Sequence, residues 1–169
     1  SWSVPVDFSS LADGNVTITA DVSDLAGNPA TSVNTNVTLD QTAPSVLVFS
    51  SEPNPTNSST FTIDVSFDEP VTGFDISDIL VVNASLGNFV DLDGLNYTVD
   101  VSPDADGVVT IDVAGSVAQD ASANDNSAAT QFTITSDRTA PTVVLSTTEP
   151  DPTNSGIIPV SIAFSEGMS

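Results

Sequence analysis

Asp40-Gln41-Thr42-Ala43-Pro44 occurs a second time in the sequence, as Asp137-Arg138-Thr139-Ala140-Pro141. The offset is 137 − 40 = 97 residues, and the register continues without a gap to residue 169, with 13 identities in 33 positions. A fixed period of this length is typical of a tandem array of small domains. We therefore predict three units: the C-terminal half of one at residues 1–39, a complete unit at 40–136, and the N-terminal part of the next at 137–169.

Apolar and polar residues alternate through most of residues 40–136, which is the period of a half-buried β-strand. The clearest alternation is Phe61, Ile63, Val65 and Phe67, which we predict to be a core strand. Turn formers such as Asp93-Gly94 separate the apolar runs. The complete unit therefore predicts about seven short strands and no long helix, which is the pattern of an all-β antiparallel sandwich.

The two terminal segments repeat parts of this pattern. Residues 1–39 predict strands near 2–8, 16–22 and 33–39, with Trp2 as a core residue. Half a sandwich would expose an apolar face and open strand edges. We expect the missing strands to come either from further sequence of a longer chain or from neighbouring chains by strand exchange.

The charge balance restricts the function. The chain has 23 Asp and Glu against one basic residue, Arg138, for a net charge of −22, and it has no Lys, His or Cys. Such a field repels nucleic acid and anionic lipid, so we expect no nucleic-acid partner and no binding to anionic membrane surfaces. No run of 18 apolar residues occurs, so we expect no membrane insertion. The composition excludes catalytic triads that contain His and nucleophiles that are Cys or Lys. It also excludes phosphate-binding P-loops, which require Lys. No pair of carboxylates stands out for glycosidase chemistry, and we predict that the protein is not an enzyme.

The surplus of carboxylates also favours hard cations. Carboxylate and carbonyl oxygens are the ligands that Ca²⁺ prefers, so Ca²⁺ is the cofactor we predict, in a structural role. The alternative is an acidic surface adapted to high salt, where screening is short-ranged. The two interpretations are compatible with each other.

Two groups of oxygen-bearing side chains flank the predicted junctions and are candidate metal ligands. A loop of one unit and an Asp at the start of the next would supply ligands together and fix the angle between units. The alternative is turn chemistry alone, in which Asp bonds its own backbone. The first loop contains Gly27-Asn28 where the second reads Ala123-Asn124, so we expect the two junctions to differ. The groups are Asp21, Asp24 and Asn28 with Asp40, and Asp120, Asn124 and Asp125 with Asp137.

A further acidic group lies early in the complete unit. Glu69, Asp75 and Asp78 are close in sequence, together with Asp68. They predict either a second cation site, with Glu69 reaching the junction, or a solvated acidic loop.

The repeated motifs resemble a known family. Asp21-Val22-Ser23-Asp24-Leu25-Ala26-Gly27-Asn28, followed by a strand and the Asp40–Pro44 stretch, resembles the bacterial Ig-like repeats of giant surface adhesins. The stretch Ser66-Phe67-Asp68-Glu69-Pro70-Val71-Thr72-Gly73-Phe74 does so as well. The resemblance implies tandem Ig-like sandwiches in an extracellular stalk at the bacterial cell surface. It also implies that neighbouring repeats of the same chain are the partners, with junctions that Ca²⁺ stiffens in several such families.

Three functions remain open at this point. The first is a non-enzymatic spacer in an adhesin stalk. The stability of such an array is roughly the sum over its units and their interfaces, which suits a long rod. The second is a self-assembling filament or sheath, in which the partners are other copies of the chain. The third is a carbohydrate-binding module, which would need exposed coplanar aromatic side chains.

Overall fold

The computed structural model describes residues 3–167, and Trp2 lies outside the described residues. Over these residues, strands follow one another with a single 3₁₀ turn, Ile76–Asp78. In this part of the chain the strands are β1 (Gly14–Ala20), β2 (Val33–Leu39), β3 (Val46–Phe49), β4 (Phe61–Phe67), β5 (Ile79–Val82), β6 (Ala84–Asp91), β7 (Asn96–Pro103), β8 (Gly107–Val113), β9 (Phe132–Ser136), β10 (Val143–Ser146) and β11 (Ser161–Phe164).

Residues 40–136 form two antiparallel sheets. One sheet has the order β3-β4-β7-β6 and the other has the order β5-β8-β9. The seven strands of this unit confirm the all-β, Ig-like antiparallel sandwich predicted from the alternation. The turn predicted at Asp93-Gly94 joins β6 to β7, and Gly94 has the positive φ of 74° that the turn requires.

The core lies between the two sheets. Along β4 every second side chain is buried, beginning at Phe61 and ending at Phe67, as the period of two predicts. Ile111 on β8 and Ile134 on β9 are also buried in this core. Phe74 packs edge-on against Phe67, with 5.2 Å between the ring centroids, and so joins the loop after β4 to the core.

The terminal segments are two-stranded. β1 pairs with β2 as β8 pairs with β9, and β10 pairs with β11 as β3 pairs with β4. The register of β10 with β11 is the same as that of β3 with β4, since Val143 is paired with Phe164 as Val46 is with Phe67.

The strand predicted at residues 2–8 is not formed over residues 3–8. Val4 and Val6 are exposed there. Alternation predicts a strand only where a neighbouring strand supplies a hydrogen-bond ladder, and no described segment pairs with this one. Similarly, β1 ends at Ala20 rather than Val22, because the Val22 carbonyl accepts from the Ala30 amide in the following loop.

The polar loop after β3 covers an edge of the sandwich. The Thr56 amide donates to the Thr135 carbonyl over 2.9 Å, and the Asp137 amide donates to the Thr56 carbonyl over 2.8 Å. The Thr135 amide donates to Asn54 Oδ1 over 3.0 Å. The loop therefore satisfies the outer edge of β9, which would otherwise be open to pairing with another chain.

Candidate functional site at the unit junction

Residues 120–124 form a compact loop organised by one carboxylate. Asp120 Oδ1 accepts hydrogen bonds from the amides of Ser122 and Asn124, both at 2.8 Å, and Oδ2 accepts from Asn124 Nδ2 at 2.8 Å. Asp and Asn favour this loop because their side chains bond the backbone a few residues away. Asp120 is only 5% exposed, so the loop holds a carboxylate inside the end of the sandwich.

Three carboxylates from distant parts of the unit meet beside this loop. Asp40 follows β2, Glu69 follows β4, and Asp120 follows β8. One oxygen of each lies within 4.8 Å of the others. Among residues 3–167 this is the group of three acidic side chains placed closely enough to share a cation. The side chains fit Ca²⁺, since each offers the hard oxygen ligands that this ion takes.

The pKa values in this carboxylate cluster reflect their surroundings. Burial, followed by the negative charges of Asp120, Asp40 and Asp68, raises the pKa of Glu69 above its ordinary value. Burial alone would raise the pKa of Asp120, but the hydrogen bonds from Asn124, Ser122 and Ala123 outweigh it and lower that pKa. A cation bound beside Glu69 would oppose this effect and favour the ionised form of Glu69.

The structure groups the predicted ligands differently from the sequence. Asp40 lies against the loop of its own unit rather than the loop of the preceding one. Ser122 Oγ donates to Asp40 Oδ2 over 3.1 Å, and Asn124 Nδ2 donates to the Asp40 carbonyl over 3.2 Å. The sheet order brings β4 and the loop after β8 to the end of the sandwich where residue 40 enters. Asp120 lies with Asp40 and Glu69, and Asp137 is not a member of this group.

The second linker begins an equivalent arrangement. Asp137 lies 97 residues after Asp40, and Glu166 lies 97 residues after Glu69. Asp137 and Glu166 line one cavity, together with Arg138. The equivalents of Asp40 and Glu69 therefore face the same cavity in the third segment.

The remaining predicted ligands make local contacts. Asp125 Oδ1 accepts from Gln119 Nε2 over 2.7 Å. Asp21 accepts from the Ser32 hydroxyl. Asp24 accepts from the amides of Ala26 and Asn28, both at 2.9 Å. Within residues 3–167, the close group of three carboxylates includes none of these Asp residues.

The two loops have the same backbone conformation despite their different sequences. Asn28 Nδ2 donates to Asp24 Oδ2 over 2.8 Å, as Asn124 does to Asp120. Gly27 has φ = 88°, and Ala123 occupies the same position with φ = 65°. The change from Gly27 to Ala123, from which we predicted unlike junction loops, therefore leaves the loop conformation unchanged, because Ala123 adopts a left-handed conformation.

The linker of residues 40–44 is bonded to the units on both sides. From the preceding unit, Asp13 accepts from the Gln41 amide over 2.9 Å and from the Thr42 hydroxyl. From the following unit, the Ser127 amide donates to the Pro44 carbonyl over 2.8 Å. Asp13 is not among the residues that the sequence marks as candidates.

The second linker has the same contact with its preceding unit. Asp106 accepts from the Arg138 amide over 2.8 Å and from the Thr139 hydroxyl. Arg138 Nε also lies 3.9 Å from Asp106 Oδ1. An Asp-Gly pair precedes each linker, at 13–14 and at 106–107. This repeated pair is the feature of the sequence that could have identified the two carboxylates.

The other acidic group is divided by the structure. Ser45 donates to Asp68 from its amide, over 2.8 Å, and from its hydroxyl, over 2.7 Å. Asp75 accepts from the Ser77 amide over 2.7 Å, while Asp78 accepts from the Asp75 amide over 2.8 Å, which caps the 3₁₀ turn. Glu69 alone belongs to the carboxylate cluster. Asp75 and Asp78 stabilise a turn, whereas Asp68 joins the end of β4 to the residue that precedes β3.

The comparisons with known proteins identify one domain. A model of a bacterial Ig-like domain matches residues 40–135 of the chain. No curated protein and no solved structure matches it. Over the described residues, the structure also has no helix that is long and apolar enough to cross a membrane.

Proposed function

Because the chain belongs to the bacterial Ig-like domain family, we propose that it is a spacer segment in the stalk of a large bacterial surface adhesin. Domains of this family typically have structural, non-enzymatic roles, often outside the cell. The proposed role is to hold a distant binding region away from the cell, with other repeats of the same chain as neighbours. The 97-residue period supports this role, because a repeated unit lengthens a stalk in equal steps.

One observation carries the proposal: the linker 40–44 is hydrogen-bonded to both flanking units. Asp13 holds its first half from one side, and Asn124 and Ser127 hold it from the other. Pro44 is buried and further restricts the backbone. A short linker held from both sides limits the hinge motion expected between domains, which is what an extended spacer needs.

We propose that Ca²⁺ at the carboxylate cluster stiffens this junction. Asp40, Glu69 and Asp120 would each supply carboxylate oxygen, and the ion would offset their mutual repulsion. Binding would also tie the first residue of the linker to the 120–124 loop. Asp137, Glu166 and Asp24 repeat single members of the cluster in the other two segments, which supports a site in every unit. Asn28 and Asn124 would support the loops without being ligands, and Asp21 and Asp125 lie outside the proposed set.

The experiment combines calorimetry with small-angle X-ray scattering on the chain. We expect the melting temperature to rise in millimolar Ca²⁺, to fall back on addition of EDTA, and to respond less to Mg²⁺, which requires stricter octahedral geometry. Scattering should give an extended particle of constant mass. An unchanged melting temperature would remove the calcium proposal, and a compact or bent particle would remove the spacer proposal.

A specific observation keeps the filament as a second candidate. Val143 and Phe164 are 57% and 51% exposed, whereas their equivalents Val46 and Phe67 are 9% and 2% exposed. In the complete unit the opposite sheet covers this face. In a stalk, a segment of the same chain would cover it; in a filament, a second copy would. Light scattering at increasing protein concentration separates them, since only a filament grows in mass.

The carbohydrate-binding alternative finds little support in the placement of the aromatic side chains. Phe61, Phe67, Phe74 and Tyr97 are buried in the core of the complete unit. Phe49 on β3 and Phe164 on β11 are exposed, but among the described residues neither belongs to a close pair of rings that would make a platform. Binding to a glycan array would reinstate this function.

A further inference from the structure

The carboxylate in the turn before β1 and its counterpart before β8 make the same pair of contacts with the linker that follows their unit. Asp13 accepts from the Gln41 amide and the Thr42 hydroxyl. Asp106 accepts from the Arg138 amide and the Thr139 hydroxyl. Each carboxylate thereby holds two successive linker residues, one through the backbone and one through the side chain.

The recurrence is not a simple copy of the register. The linkers are 137 − 40 = 97 residues apart, whereas the two carboxylates are 106 − 13 = 93 residues apart. The chain between turn and linker therefore differs by four residues in the two units, yet the same pair of hydrogen bonds forms. Contacts preserved across a change in length point to a constraint on the linker itself.

The side chain at the second linker position adds to each contact. Gln41 Nε2 donates to the Leu11 carbonyl over 3.2 Å. Arg138 Nε lies 3.9 Å from Asp106 Oδ1. Although one residue is neutral and the other charged, both side chains turn back to the preceding unit. The linker sequence Asp-Gln/Arg-Thr thus presents an amide, a hydroxyl and a long donor to one turn.

We propose that Asp13 and Asp106 are positioning residues that fix each linker against its preceding unit without a cation. The junction then has two separable halves. A carboxylate clasp joins the linker to the unit before it, and the carboxylate cluster of Asp40, Glu69 and Asp120 joins it to the unit after it. The use of the clasp in a stalk rests on the proposed spacer function, whereas its existence does not.

The clasp should make one half of the junction indifferent to metal. In the clasp, the ionised carboxylate accepts one hydrogen bond from an amide and one from a hydroxyl, and neither bond needs a cation. Removing Ca²⁺ therefore loosens the cluster but leaves residues 41 and 42, which Asp13 holds at the same junction, ordered. A stalk built in this way keeps a preferred direction between units at low calcium.

Amide hydrogen exchange of the whole chain, followed by NMR, tests the proposal at the Arg138 amide. In Asp106→Ala we expect this amide to exchange about tenfold faster, the effect of losing one charge-assisted hydrogen bond. The matched control is Asp104→Ala, which removes an exposed carboxylate from the same turn. Thr139→Val should accelerate exchange partly, and Thr139→Ser should restore the wild-type rate, because it keeps the hydroxyl.

The outcomes are decisive in both directions. Faster exchange of the Arg138 amide in Asp106→Ala but not in Asp104→Ala, with the wild-type rate of the Gln41 amide beside the carboxylate cluster unchanged in EDTA, supports the clasp. An unchanged Arg138 rate in Asp106→Ala, or loss of the wild-type protection of the Gln41 amide in EDTA, overturns it. If Asp106→Ala disturbs the core amide of Ile111, the Thr139→Val and Thr139→Ser pair decides instead. None of these results bears on the extended shape, so the spacer proposal stands or falls separately.

Discussion

Ser122 Oγ lies 3.1 Å from Asp40 Oδ2, although 82 residues separate the two in sequence. The contact joins the entry of the complete unit to the loop near its end. Asn124 reinforces it by donating to the Asp40 carbonyl over 3.2 Å. The linker is therefore part of the folded unit rather than a tether outside it, and its disruption should be measurable as a loss of domain stability.

Replacing Asn124 with Ala should destabilise the complete unit by about 1–3 kcal/mol, because partly buried Asp120 and Asp40 lose a shared donor. Urea denaturation, monitored by far-ultraviolet circular dichroism, measures the change in the free energy of unfolding. Asn28→Ala is the matched control, since Asn28 occupies the same loop position and bonds Asp24 in an exposed setting. Equal losses in the two variants would show that the contact with the linker contributes nothing.

Replacing Ala123 with Gly should stabilise the unit by about 0.5–1 kcal/mol. Ala123 has φ = 65°, a left-handed conformation that costs a residue with a Cβ about 1–2 kcal/mol. Gly removes this cost, but its greater conformational entropy in the unfolded state offsets part of the gain. Ala121→Gly, in the same loop, is the control and should be neutral or destabilising. The reverse change, Gly27→Ala, should destabilise its loop through the backbone alone, because a Cβ there meets nothing within 4 Å.

Much of the fold was predictable because alternation reports burial directly. Phe61, Ile63, Val65 and Phe67 were assigned to the core from their spacing, and all four are buried. The same rule failed at Val4 and Val6, because a strand also needs a neighbour that sequence spacing does not reveal. Local patterns identify faces, whereas pairing depends on the whole topology.

The carboxylate cluster was harder to predict than its members. Asp40 and Asp120 were both candidates, but the sequence alone placed Asp40 with the preceding loop because that loop is nearer along the chain. Sheet order decides otherwise, since it brings Glu69 and the loop after β8 to the end where Asp40 enters. Asp13 and Asp106 were missed because an Asp-Gly pair is also an ordinary turn signal.

In EDTA, Glu69→Gln should raise the melting temperature at pH 7 by about 2–5 °C and have little effect near pH 4. The pKa of Glu69 in the folded state is raised above 4.5 by burial and by the charges of Asp120, Asp40 and Asp68. Folding therefore favours the protonated form, so wild-type stability falls as pH rises through the folded-state pKa. Gln keeps the neutral form at every pH.

The same variant should abolish the stabilisation by Ca²⁺, because a neutral amide replaces a charged ligand. Asp64→Asn removes one charge from the outer face of β4 and serves as the control for net charge alone. If both variants behave alike in EDTA and in Ca²⁺, the effect belongs to the overall charge of −22 and not to the carboxylate cluster.

Thr56→Val should destabilise the complete unit by about 1–2 kcal/mol and make it more prone to associate. Thr56 is buried, its hydroxyl donates to Glu52, and its Oγ1 accepts from the Ser58 amide over 3.0 Å. Losing these bonds loosens the loop that covers the edge of β9. Thr153→Val is the matched control, because Thr153 makes similar bonds at the equivalent position but is exposed. Chemical denaturation measures the first effect, and light scattering near the unfolding midpoint measures the second; the edge-covering role is refuted if Thr56→Val loses stability without any gain in association.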